Sequence, residues 1–123
     1  MNILIAPNSM KGSLSAIQFA DIIESAFKDV DSNYFACKTM PIADGGDGTC
    51  DIITKLLNLN EYQIEVQDPL CRNINVKYGF ANEVAVIEMA NVSGLKLLNE
   101  SEKNPMIASS FGTGQVLAYV VKQ

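Results

Sequence analysis

Histidine is absent from this chain. Its absence removes Ser-His-Asp and Cys-His catalytic arrangements and every zinc site with a histidine ligand. Cysteine is scarce: Cys37, Cys50 and Cys71 stand far apart, and no CxxC pair occurs. An odd number at wide spacing argues against a disulfide framework or a cysteine-rich zinc site, so three reduced thiols are expected. No apolar run is long enough to span a bilayer. The N-terminus lacks the basic flank and small-residue cleavage site of a secretory signal, and a cytoplasmic protein is expected. Basic residues are few, nine against 14 acidic ones, for a net charge of −5. Nucleic acid and membrane are therefore not expected partners, because phosphate-rich surfaces are bound by clustered Lys and Arg. The chemistry left is that of carboxylates, lysines, hydroxyls and glycine-rich backbone.

What is present reads as a globular protein: 123 residues, 48% hydrophobic and 19% charged, the length of one ordinary domain. Asn2 to Pro7 is apolar and ends in proline, which predicts a short strand buried on both faces, as in a parallel sheet. A polar loop follows. A helix is expected from about Leu14 to Lys28, with Ser13 as its cap. A second strand fits Tyr34 to Met40, and a second helix fits Thr49 to Leu57. Strand, polar loop and helix thus occur twice, the pattern of an α/β protein. After Asn60 the pattern changes. Tyr62–Gln67 and Ile74–Tyr78 alternate strictly, and Val84–Ile87 adds a third strand, so a mixed or antiparallel sheet is expected. A boundary is placed near residues 60–68 and set at 63/64. A short helix is expected at Asn91–Leu98, and a last one from about Thr113, leaving Leu117, Val120 and Val121 unmatched by a later element. No internal repeat or low-complexity segment is present.

Four constellations bear on function. Asp44-Gly45-Gly46-Asp47-Gly48-Thr49 lies between a strand and a helix. Its glycines allow a tight turn close to a ligand, and the helix that follows offers backbone N–H groups to an anion. Asp44 and Asp47 are candidates to hold Mg²⁺ or to accept a proton. The plainer reading is a solvated turn with Asp47 or Thr49 capping the helix. The loop is neither a Walker A sequence nor a dinucleotide fingerprint. Ser9-Met10-Lys11-Gly12-Ser13 follows the first strand, where open α/β sheets take ligands. Lys11 would be a point charge for phosphate or carboxylate, with Ser9 and Ser13 donating hydrogen bonds; otherwise Lys11 is simply solvated. Ser110, Gly112, Thr113 and Gly114, hydroxyls and glycines before the last helix, are candidate phosphate contacts, though a simple cap by Thr113 explains most of that segment. Glu88 ends an apolar strand, where it either lines a cleft or is solvated.

These segments resemble the glycerate kinase family of the type-1 class. The family's opening Ala-Pro-Asp-Ser-Phe-Lys-Gly-Ser-Leu is similar to Ala6–Leu14. Its Pro-Val-Ala-Asp-Gly-Gly-Glu-Gly-Thr is similar to Pro41–Thr49, and its Asp-Pro-Leu-Gly-Arg turn to Asp68–Arg72. Ile87–Leu95 resembles its Ile-Glu-Met-Ala-x-x-Ser-Gly-Leu. Asn104-Pro105 and Ser109–Gly114 resemble its Asn-Pro and Thr-Ser-Tyr-Gly-Thr-Gly. Asn8 stands where Asp is usual, Asp47 where Glu is usual, and Cys71 where Gly is usual.

The resemblance implies transfer of the ATP γ-phosphoryl group to a hydroxyl of D-glycerate. Lys11, Asp44 and Asp47 would be the catalytic residues. The backbone at Gly45, Gly46, Gly48 and Thr49 would contact substrate anions, and Mg²⁺ would assist. A small-anion-binding module without catalysis and an inactive truncated product remain open. The resemblance further implies a Rossmann- or flavodoxin-like domain, incomplete at 1–63, and the start of a restriction-enzyme-like mixed-sheet domain at 64–123. The chain corresponds to the N-terminal part of the family's length. Residues 1–123 alone are expected to be inactive, and to need further chain or a second copy for stability.

Overall fold

The computed structural model describes all 123 residues, which divide into two compact units, Met1–Ile52 and Ile53–Gln123. The first unit opens with strand β1 (Asn2–Ile5), helix α1 (Ala16–Asp31) and strand β2 (Ala36–Thr39). β1 and β2 are parallel, in register from Asn2↔Ala36 to Ile5↔Thr39. Parallel neighbours need a crossover, and α1 supplies it.

Helix α1 begins one turn-residue pair later than its first serine suggests. Ser15, not Ser13, is the cap. The Gln18 N–H donates to Ser15 Oγ at 3.2 Å, and the Ser15 N–H donates to Gln18 Oε1 at 3.0 Å. This reciprocal Ser-x-x-Gln box satisfies two backbone donors at once. Ser13 instead closes a turn, its N–H donating to Met10 O at 2.9 Å. The helix presents Ala16 and Ala20, one turn apart, as its buried residues. The expectation of a strand buried on both faces fails for β1. Ile5 is buried, whereas Leu4, on the opposite face by strand alternation, is 60% exposed. Ile22, an apolar residue of α1, is exposed as well.

Helix α2 (Thr49–Leu56) contains the division between the units. The second unit then forms an antiparallel sheet, β3 (Asn60–Gln67), β4 (Asn73–Ala81) and β5 (Val84–Val86), in that order. The boundary expected at 63/64 falls inside β3. That strand stays whole because it pairs with β4 from Asn60↔Phe80 to Gln67↔Asn73. Asn82 and Glu83 both have positive φ, 50° and 64°, in the two-residue turn between β4 and β5. Such turns match the twist of a hairpin.

Helix α3 (Met89–Ser93) and helix α4 (Phe111–Val120) complete the unit, with single 3₁₀ turns at Leu95–Leu97 and Glu100–Glu102. The helix expected over 91–98 is broken at Gly94, which lies so close to α3 that a Cβ there would sit 2.2 Å from the Ala90 carbonyl oxygen. Val66, Val76, Tyr78, Val92, Val116 and Val120 form the core, with Ile64, Ile74, Phe80 and Ile87 packed around it. Val120 is thus matched, while Leu117 and Val121 remain exposed.

Candidate functional site

The loops that follow β1 and β2 leave the carboxyl ends of two parallel strands, the ligand-binding end of an open α/β sheet. The structure brings them together. Asn8 Nδ2 donates to Asp44 Oδ2 at 2.8 Å, and Asn8 Oδ1 accepts the Ser9 N–H at 2.7 Å. The Gly46 N–H donates to Asp44 Oδ1 at 3.0 Å. The Asn8 hydrogen bond, then the Gly46 N–H, hold the Asp44 carboxyl below the usual carboxylate range, and the Lys11 cation acts in the same direction. Both hydrogen bonds favour the ionised form. Asp44, Asp47 and Lys11 are exposed to solvent.

Not every expected contact points outward. The Gly45 N–H donates to Thr49 Oγ1 at 3.1 Å, so it, like that of Gly46, is engaged within the loop. Gly45 and Gly48 have φ of +91° and +86°, where a side chain would strain the backbone. Ser9 is half-buried beside Asn8, and Ser13 sits in the turn that precedes α1. Asn8 carries the link between the loops, and its role was not read from the sequence. The available signal was its place beside Lys11 just beyond the first strand.

The second unit holds its own polar groups. Asp68, 2% exposed, accepts the N–H of Leu70 at 2.8 Å and of Arg72 at 2.9 Å. The Arg72 guanidinium binds its other oxygen, and continues to Glu102 and the Leu97 carbonyl, each at 2.9 Å. Burial pushes the Asp68 carboxyl up. The Arg72 N–H and guanidinium, with the Leu70 N–H, outweigh it and hold the group low. Arg72 is therefore a fastener for the β3–β4 turn.

Glu88 neither is solvated nor lines an open cleft. Its side chain has 0% exposure at the junction of β5 and α3, with Lys96 Nζ 3.7 Å from Oε1. Lys96 also donates to Asn91 Oδ1 at 2.6 Å. Of the residues expected to bind phosphate before α4, two are turned to the protein. A Cβ on Gly112 would sit 1.7 Å from the Gln67 carbonyl oxygen, so the glycine permits close approach of helix and strand. The Thr113 hydroxyl is bonded to Ser93 Oγ at 2.7 Å, joining α4 to α3, and the helix begins before it, at Phe111 after Ser110. Ser110 and Gly114 are exposed.

Comparison with known proteins agrees with the motif pattern. Residues 3–123 match the model of the glycerate kinase family. Over 119 residues the chain is 40% identical to a glycerate kinase of Halalkalibacterium halodurans, covering 94% of this chain and 30% of that protein. It is 36% identical over 121 residues to the glycerate 2-kinase of Escherichia coli, covering 95% and 31%. A solved Salmonella typhimurium LT2 structure described as a glycerate kinase 2 superposes with a TM-score of 0.73 at 34% identity. It covers 99% of this chain and 33% of that one. The chain thus spans about a third of the length of these relatives. With its motifs in order and its fold shared, the chain belongs to the glycerate kinase family.

Proposed function

We propose that this chain contributes the first part of the site of a glycerate kinase, which transfers the γ-phosphoryl group of ATP to a hydroxyl of D-glycerate. The observation that supports this reading is the junction of Asn8, Asp44 and Lys11 at the carboxyl ends of β1 and β2. In the reaction the glycerate hydroxyl oxygen bonds to the γ-phosphorus. The bond from that phosphorus to the bridging oxygen breaks, and ADP leaves. Positioning and charge neutralisation dominate such a transfer. Lys11 supplies a point charge to the phosphate or the substrate carboxylate. Asp44, held ionised with both oxygens engaged, suits electrostatic or cation-binding work. Asp44 or Asp47 would take the hydroxyl proton.

Magnesium fits this donor set in one way. No group of three or more His, Cys, Asp and Glu is arranged to hold a metal ion, but Mg²⁺ is commonly held by one or two carboxylates together with substrate phosphates and water. Asp44, with Asp47, would be the protein's share, and the ion would neutralise phosphate charge. Ser9, Ser13 and Gly48 are proposed as secondary contacts to substrate oxygens.

The two-domain assignment, Rossmann-like then mixed-sheet, is part of the same proposal, as is cytoplasmic location; no helix is long and apolar enough to cross a membrane. The rest of the site would come from the length that the relatives have and this chain does not match. The test is a coupled assay with ATP, Mg²⁺ and D-glycerate on a polypeptide carrying these 123 residues and that further length. Phosphoglycerate well above background is expected, and none would overturn the reading.

A further inference from the structure

We propose that Asn8 is a positioning residue, whose carboxamide ties the loop after β1 to the loop after β2 and sets the direction of the Asp44 carboxylate. The inference rests on reading these loops as the working end of the first unit. A carboxamide has an acceptor oxygen and two N–H donors, and Asn8 uses both ends. Its Oδ1 accepts the N–H of Ser9 at 2.7 Å. That bond decides which way round the amide lies, so Nδ2 faces Asp44 Oδ2 at 2.8 Å. Asp44 Oδ1 in turn accepts the N–H of Gly46 at 3.0 Å. The result is an unbroken chain of three hydrogen bonds from the backbone of one loop to the backbone of the other.

Asn8 and Asp44 are 36 positions apart, so this chain of bonds closes the β–α–β unit at its strand ends. Alanine or serine is too short to reach. Aspartate would place two carboxylates in contact, which are not both ionised without a shared proton or a bridging cation. Both side chains are exposed, so burial does not force the pair together. What the bonds determine is where the Asp44 charge sits.

Amide hydrogen exchange at Ser9 and Gly46, followed by NMR on the 123-residue chain, tests this. Asn8→Ala should speed exchange at both amides roughly three- to tenfold, the weight of one net hydrogen bond, and Asn8→Asp, whose carboxylate still accepts from the Ser9 N–H, should speed it at Gly46 alone. The Asp44 carboxyl carbon resonance should move in Asn8→Ala. Circular dichroism and exchange in β3 and β4 should not change, which separates loop release from unfolding. The double variant Asn8→Asp/Asp44→Asn exchanges donor and acceptor. Its carboxylate can accept from the Ser9 N–H and its amide oxygen from the Gly46 N–H, so all three bonds re-form, the one between the two side chains with its direction reversed, and protection returns. Unchanged exchange in Asn8→Ala, or no recovery in the double variant, overturns the proposal. Because no step uses ATP or glycerate, a longer polypeptide without kinase activity would sink the proposed reaction and leave this result standing.

Discussion

At the scale of single residues, three carboxylates illustrate two uses of the same group. Asp68 is buried and fully bonded, and it serves stability. Asp68→Ala should lower the unfolding free energy of the second unit by about 1–3 kcal/mol at pH 7, the range for orphaned buried N–H partners. Its carboxyl is held below the ordinary value of 3.8 in the folded chain. A depressed carboxyl contributes stability that is present above the unfolded value and lost as pH falls through the folded one. The gap between wild type and Asp68→Ala in urea unfolding should therefore be full at pH 5 and above, and narrow below about pH 4. A gap independent of pH would refute the charge argument. Asp44 and Asp47 are exposed and should behave oppositely. Asp44→Asn and Asp47→Asn are expected to lower kcat of the proposed kinase at least tenfold while leaving the melting temperature within about 2 °C; normal turnover in both would reduce them to loop residues. The two acids and their glycines were legible in the sequence because loop chemistry is local. The Asn8–Asp44 bond and the burial of Glu88 were not, since each depends on chain segments distant in sequence or on packing.

At the scale of elements, glycines in one helix have opposite meanings. Gly112 and Gly114 both lie in the first turns of α4. Gly112 touches β3 so closely that a Cβ would overlap the Gln67 carbonyl and press on Val92. Gly114 has nothing within 4 Å of an added Cβ. Gly112→Ala should cost about 1–3 kcal/mol through overpacking, while Gly114→Ala should stabilise by about 0.5–1 kcal/mol through helix propensity. Thermal unfolding of the two variants checks both signs; two shifts in the same direction would contradict the packing assignment. Every strand and helix was foreseeable in kind, because apolar periodicity is set by faces that pack. Their ends were less so. The start of α1 turned on the choice between Ser13 and Ser15, which the glutamine at position 18 decides. The end of α3 turned on a backbone contact at Gly94 that no periodicity announces.

At the scale of the molecule, the two units differ in how well each is filled. The change of pattern after Asn60 made two sheets legible. Where the units part was not, since strand pairing along all of β3 is a long-range fact. The buried apolar residues of Met1–Ile52 are Ile5, Ala16, Ala20 and Cys50, mostly small. Those of Ile53–Gln123 include Tyr78 and five valines in one cluster. Burial of a large apolar side chain contributes roughly 1.5–3 kcal/mol, and of an alanine far less, against about 1–2 kcal/mol of backbone entropy for each ordered residue. Both units leave large apolar side chains exposed, among them Leu4, Ile22, Val30 and Met40 in the first, so it is the small buried core of the first unit that should make its stability the lower of the two. In urea, hydrogen exchange read by mass spectrometry should show peptides from β1, α1 and β2 losing protection at a lower midpoint than peptides from β3, β4 and α4. The intermediate, with the first unit open, should associate more strongly as concentration rises, because its newly exposed apolar surface adds to those four residues. A single coincident transition for all peptides, independent of concentration, would show that the units stand or fall together.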